Sequence, residues 1–186
     1  MKKFALLTWE TLKTVIIALA IILPIRYFLV EPFYVKGASM EPNFHDHEYL
    51  IIDRLNYRMN EPQRGDVVVF RYPYNPQEYY IKRVIGLPGE SVEVKDGAIY
   101  VYNSAHPEGF KLPEGYLPKG LESTPINPQF TRTDLKENQY YMMGDNRVAS
   151  QDSRVFGPVD KSFLIGRVVF RGLPFDKIGQ IQNPGY

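Results

Sequence analysis

The sequence predicts a mainly β protein: an N-terminal transmembrane helix followed by a coiled β-sheet, or partly closed barrel, that takes up the rest of the chain. Three observations predict it. One charge-poor apolar run lies near the N-terminus, and from Glu31 onward no stretch sustains a 3.6-residue period. In its place, short apolar runs recur between turn residues. Composition agrees, since 15 Pro, 14 Gly, 14 Tyr and 11 Phe in 186 residues suit short strands and turns better than long helices. It also excludes whole classes of function. With 22 Lys and Arg against 21 Asp and Glu, there is no concentrated basic charge for a nucleic acid. The absence of cysteine removes disulfides, thiolate zinc sites, iron–sulfur clusters and a thiol nucleophile.

The apolar run, Thr14 to Val30, reads TVIIALAIILPIRYFLV and carries a single charge, Arg26. As a helix it would rise roughly 26 Å against a hydrocarbon core of about 30 Å. Arg26 stands near the far end, where a long side chain reaches the headgroups. Lys2, Lys3 and Lys13 precede or open the run with Glu10 the lone acid among them. The excess of basic residues puts the N-terminus in the cytoplasm and the remainder across the cell membrane, as a single-pass protein. Two other readings compete. A cleaved signal peptide needs an accessible small-residue site, but Ala18-Leu19-Ala20 lies inside the run. A core helix would show one apolar stripe, whereas this run is apolar all round. The division is therefore 1–30 as cytoplasmic tip and anchor, and 31–186 as an extracytoplasmic β domain.

Eight short runs make up that domain: Phe33 to Val35, Tyr49 to Ile52, Val67 to Phe70, Tyr79 to Ile85, Ser91 to Val94, Ala98 to Tyr102, Tyr140 to Met143 and Ile165 to Phe170. Turn residues bound them, and Lys95-Asp96-Gly97 between two of them is an Asp-Gly hairpin signal. Between Asn103 and Asn138 apolar runs vanish while Pro107, Pro113, Pro118, Pro125 and Pro128 recur. A stretch of that length without strands reads as a loop insertion, a lid or a loosely ordered segment.

Three segments carry residues suited to chemistry. Gly37-Ala38-Ser39-Met40-Glu41-Pro42 follows the anchor closely, and its small residues leave the Ser39 hydroxyl and N–H approachable, as a nucleophile beside an oxyanion site requires. The same residues also read as a plain turn. In Tyr79 to Glu90, strand alternation puts Tyr80, Lys82 and Val84 on one face and Ile81, Arg83 and Ile85 on the other. A lysine between apolar neighbours either reaches water or sheds its proton, and a neutral lysine is a competent general base. The third segment, Gly144 to Arg154, gathers hydroxyls, carboxylates and guanidinium groups in one polar loop. Alone it reads equally well as a solvated loop with weak surface ion pairs.

These segments, in this order and behind an N-terminal anchor, resemble the bacterial type I signal peptidases, membrane-bound serine proteases with a Ser/Lys dyad. The likeness covers Glu31-Pro32-Phe33, the serine segment, Arg64 to Phe70, the lysine segment and Gly144 to Arg154, roughly a third of the chain. It implies Ser39 as nucleophile, Lys82 as general base and Ser150 as a hydrogen-bond partner holding the lysine amine. It implies Asp145 with Arg83, and Asp152 with Arg154, as ion pairs behind the site. Val35, Met40, Tyr80 and Ile81 match positions that shape shallow pockets for small residues at the −1 and −3 sites of a substrate. The implied activity is removal of signal peptides from exported preproteins after a small residue, through an acyl-enzyme, without metal or cofactor. Preproteins and the lipid bilayer are the implied partners. One departure matters: Gly37 stands where some members carry a hydroxyl donor to the oxyanion.

Alternatives remain at this level. A non-catalytic anchored β domain for binding or scaffolding would keep the serine and lysine as turn and strand residues. A self-cleaving repressor is disfavoured, because the chain has no helix-turn-helix region and begins with an anchor. Spacing alone does not choose Lys82 over His45, His47 or His106 as the base. His45 and His47 form an H-x-H pair without an evident third metal ligand.

Overall fold

The computed structural model describes residues 2–24, 30–55 and 60–185. The first element is helix α1 (Lys2–Pro24). Residues 8–21 of it are exposed at every position, apolar side chains included, so none of this stretch packs into a core. Among the described residues, no helix is long and apolar enough to cross a membrane. The part of the apolar run at 25–29, with Arg26, lies outside the described residues.

The described strands are β1 (Val30–Tyr34), β2 (Tyr49–Asp53), β3 (Val67–Tyr72), β4 (Asn75–Gly86), β5 (Ser91–Lys95), β6 (Ala98–Tyr102), β7 (Phe110–Lys111), β8 (Arg132–Asp134), β9 (Gln139–Met143), β10 (Val159–Asp160), β11 (Leu164–Leu173) and β12 (Gly179–Gln180). One short helix, α2 (Ser153–Phe156), sits between β9 and β10. The larger sheet runs β1-β2-β11-β3-β4-β9-β10, with β12 added to β11, and the smaller runs β7-β6-β5-β8. The protein is mainly β, and each of the eight short runs read from the sequence overlaps one of these strands, with Val35 just past the end of β1. The larger sheet, however, ends at β1 and β10 without joining them, so no barrel closes among the described residues.

Burial explains the strands. The unbroken run Val67 to Phe70 forms a strand covered on both faces, which removes the need for alternation. Val67 and Val69 face a cluster with Val35, Met40, Phe44, Ile52, Ile81 and Val168. Val68 and Phe70 face the other way, against Val84, Tyr140, Met142 and Phe156. Each such side chain contributes about 1.5–3 kcal/mol through burial. The Asp-Gly turn joins β5 to β6 with Asp96 at φ 50° and Gly97 at φ 73°, the left-handed pair that a tight hairpin requires.

The segment 103–138 differs from the loose insertion the sequence suggests. β7 and β8 within it form both edges of the smaller sheet. Leu112 and Leu135 are buried in that sheet's core beside Ile85, Val92 and Tyr141. The Ser123 N–H donates to the Gly97 carbonyl at 3.0 Å and the Asn127 N–H to the Arg154 carbonyl at 3.1 Å. A stretch poor in apolar residues is ordered here by backbone hydrogen bonds to distant partners, which leave no periodicity in the sequence.

Register sets up the next level. β3 pairs with β4 along its length, with Val68 opposite Lys82. β9 pairs with β4 only from Arg83 onward. From Asn75 to Lys82, β4 therefore has β3 on one side and no strand on the other among the described residues. β1, at the end of the sheet, likewise has one free edge.

Candidate active site

The two free edges line one cleft of about 560 Å³, formed by Phe33 and Tyr34 of β1, Glu78 to Lys82 of β4, and Lys36, Ser39 and Gln151 from loops. Phe33 and Tyr79 meet across it edge to face, their ring centres 6.5 Å apart.

Ser39 lies on the turn after β1, and that turn is tied on both sides. Gly37, at φ 89°, donates its N–H to Asp46 Oδ1 at 2.9 Å. On the other side, the Asn146 N–H donates to the Ser39 carbonyl at 3.1 Å and its amide to the Ala38 carbonyl at 3.0 Å. The Ser39 hydroxyl therefore stands on a fixed backbone at the cleft floor. No side chain is present at residue 37 to add a hydroxyl donor.

Lys82 reaches this hydroxyl directly: its Nζ lies 2.7 Å from Ser39 Oγ and 2.8 Å from the Ile81 carbonyl oxygen. Only 3% of the residue is exposed. Burial drives its pKa down from 10.5 to about 8, although the fields of Asp152 and Asp145 act in the opposite direction. Burial prevails because both carboxylates are already neutralised. Asp145 accepts two hydrogen bonds from Arg83, at 2.8 and 2.6 Å, and both residues are buried. Asp152 accepts two from Arg154, at 2.9 and 2.7 Å, also buried. Such forked pairs hold geometry as well as charge. Strand alternation contributes: Arg83 leaves β4 on the face opposite Lys82, so the Asp145 carboxylate is drawn away from the amine.

The loop from Gly144 to Arg154 is the frame for these contacts. Asp152 caps α2 through the Arg154 N–H and also takes the Gly144 N–H, both at 3.1 Å. Arg147, which the sequence did not single out, is buried and donates to the Gly144 carbonyl at 3.0 Å. Its guanidinium also reaches Ser123 Oγ at 2.5 Å, the Tyr116 hydroxyl at 2.9 Å and the Glu114 carboxylate. The segment 103–138 is thereby fastened to the back of the site. Tyr116 from that segment lies against the Arg83 guanidinium, 4.2 Å from ring centre to Cζ. Nothing in the one-dimensional sequence marks these partners, because they meet only through the fold.

Ser150 is buried beside Gly144, but its Oγ has no hydrogen-bond partner, so the bond to the Lys82 amine is not formed in this structure. The amine uses Ser39 and Ile81 instead. Val35 and Met40 are each 1% exposed and belong to the core cluster under the serine turn rather than to the cleft wall. Tyr80 and Ile81 do line the cleft. Phe33, Tyr34, Lys36, Glu78, Tyr79 and Gln151 complete the lining with Ser39 and Lys82, and the sequence marks none of these six as a pocket residue. None of His45, His47 and His106 lines the cleft with Ser39. They lie near Glu41, Asp46 and Glu108 respectively.

Chemically, a serine hydroxyl in contact with a buried amine of lowered pKa has the geometry that attack by a base-activated hydroxyl requires. Comparison with known proteins shows the family. The chain is 36% identical over 184 residues to a probable signal peptidase I-2 of Synechocystis, covering 95% of this chain and 78% of the relative. It is 34% identical over 195 residues to signal peptidase IB of Staphylococcus aureus, covering 99% and 97% respectively. A solved signal peptidase I from Enterococcus faecalis shares 32% identity, covering 59% of this chain and 97% of its own, at a TM-score of 0.47 that by itself establishes no shared fold. Residues 8–173 match the family described as signal peptidase, peptidase S26, and on this match and the two relatives the chain belongs to that family and is a serine peptidase.

Proposed function

We propose that the chain removes signal peptides from exported preproteins after a small residue, with Ser39 as nucleophile and Lys82 as general base. The observation that carries this reading is the 2.7 Å contact between Ser39 Oγ and an Nζ whose pKa burial lowers to about 8. The neutral amine takes the hydroxyl proton as Oγ bonds to the scissile carbonyl carbon, and the carbonyl oxygen becomes an oxyanion beside the Ser39 N–H. Collapse of this intermediate expels the new N-terminus of the mature protein, which takes the proton from the Lys82 ammonium, and leaves the signal peptide esterified to Ser39. Water, activated by the same amine, then releases it. Ser150, with its unpartnered hydroxyl, supplies an acceptor for the ammonium formed in each half-reaction.

The cleavage segment would enter as an extended strand between the free edges of β1 and β4, main chain to main chain, with alternate side chains against the walls. Tyr80 and Ile81 bound it directly, while Val35 and Met40 support the floor from the core. Arg83 with Asp145, and Asp152 with Arg154, hold this geometry without moving protons. The exposed apolar side chains between residues 8 and 21 of α1 support a single-pass anchor. The N-terminus would be cytoplasmic and 31–186 would lie at the outer surface of the cell membrane, where preprotein cleavage sites emerge.

A precursor bearing an A-x-A site, incubated in detergent with wild type and with Ser39→Ala, tests the reading. Cleavage after the final Ala is expected from wild type alone, and full cleavage by Ser39→Ala would remove Ser39 as nucleophile.

The pH dependence follows from Lys82. Below about 8 the amine is protonated and inactive as a base, so kcat/KM should rise about tenfold per pH unit and level off above that value. Arg154→Met leaves the Asp152 carboxylate uncompensated, and its field then favours the ammonium. The rising limb should move to higher pH in this variant, as a pH–rate profile would show. An unmoved limb would mean that the paired arginine does not shield Lys82.

A further inference from the structure

Gln151 sits between Ser150 and Asp152, both buried, yet is itself exposed and lines the cleft with Ser39 and Lys82. Its backbone is fixed, since the adjacent Asp152 carboxylate is held by Arg154 and Gly144. The side chain is held as well. The Tyr80 hydroxyl donates to Gln151 Oε1 at 3.0 Å, and Gln151 Nε2 donates to the Tyr72 hydroxyl at 3.4 Å. The two tyrosine rings stack nearly parallel, with centres 4.6 Å apart and planes 9° from each other. The Phe156 ring packs against both from behind.

We propose that Gln151 is a specificity-determining residue: bridged between the stacked Tyr72 and Tyr80, its amide forms a wall of the cleft that keeps large substrate side chains out. The inference rests on the peptidase reading above and deepens it. Tyr80 and Lys82 share one face of β4, and Lys82 Nζ lies 5.3 Å from the centre of the Tyr80 ring that anchors the wall. The subsite it bounds is therefore close to the scissile bond. A larger side chain there must push the amide aside and break both tyrosine contacts. A small side chain leaves them intact. An unanchored glutamine would swing away at little cost and discriminate weakly, which is why the tyrosine pair matters to the argument.

The test compares wild type, Gln151→Ala and Tyr72→Phe on precursors carrying Ala, Val or Leu at each of the three positions before the cleavage site. Tyr72 is outside the cleft lining, so Tyr72→Phe removes one anchor of the amide without touching substrate. At one position, the kcat/KM ratio of Leu to Ala precursor should rise roughly tenfold or more in Gln151→Ala, within the range a tight pocket imposes per methylene. A smaller rise at the same position is expected for Tyr72→Phe. If the Ala precursor is cut by all three proteins and the ratios stay unchanged, the wall is refuted and the peptidase reading stands. An equal loss of rate on every precursor would also refute the wall, since it marks a purely structural role. If wild type cuts no precursor at all, the peptidase reading falls and the wall falls with it.

Discussion

Lys82→Met is expected to abolish cleavage, by about 10⁴-fold or more in kcat, as loss of a general base does in serine proteases, and to make the folded protein more stable near neutral pH. The two effects have one origin. The Lys82 pKa is about 8 in the fold and 10.5 in the unfolded chain. Below pH 8 both states carry the proton, and the fold bears the full cost of a buried ammonium, about 3 kcal/mol for a shift of this size. Between pH 8 and 10.5 the unfolded chain binds more protons than the fold. Stability then rises with pH until the cost is relieved. Methionine fills much of the same volume without charge, but leaves Ser39 Oγ and the Ile81 carbonyl with one partner fewer. Allowing about 1 kcal/mol for each, the net gain at pH 7 is about 1 kcal/mol, shrinking and then reversing as pH approaches 10. Urea unfolding of both proteins at pH 7 and pH 10 measures this directly. A variant that is less stable at both pH values by the same amount would contradict a buried, charge-penalised lysine.

Gly144→Ala should reduce kcat/KM by roughly 100-fold or more, the scale of a misplacement of about 1 Å at reacting groups. A Cβ at this position would lie 2.3 Å from the Ser39 carbonyl oxygen and 2.2 Å from Ser150 Oγ. The serine side chain can turn, but the Ser39 carbonyl is backbone and cannot yield without carrying the nucleophile with it. Gly144 cannot retreat either, since its N–H is held by Asp152 and its carbonyl by Arg147. The strain therefore falls on the 2.7 Å contact to Lys82. Gly115→Ala serves as the control, because a Cβ there meets open space. Cleavage assays paired with circular dichroism would separate the two, and a fully active Gly144→Ala would mean the serine turn can relax without cost.

Eight of the twelve described strands were legible from the sequence because their signals are local, whereas β7, β8, β10 and β12 left none. A run such as Val67 to Phe70 has too much apolar surface to be anything but covered, and Lys95-Asp96-Gly97 encodes its own turn. The site was legible to a lesser degree. Alternation along Tyr79 to Ile85 already separated Lys82 from Arg83, and with them the base from its neighbouring cation. The likeness to a known family paired Lys82 with Ser39, which spacing could not do.

What the sequence by itself determined is the longer strands, the face each residue of β4 presents, and the cluster of charge after Met143. The tertiary structure alone decided which of those groups touch. It tied 103–138 to the site through Arg147, turned Val35 and Met40 into the core, left the Ser150 hydroxyl unpaired and set Gln151 between two tyrosines. The physical reason is range. Strand propensity and turn chemistry act between residues adjacent in the chain, whereas burial of Lys82, its pKa near 8 and the shape of the cleft depend on side chains brought together from dozens of residues away.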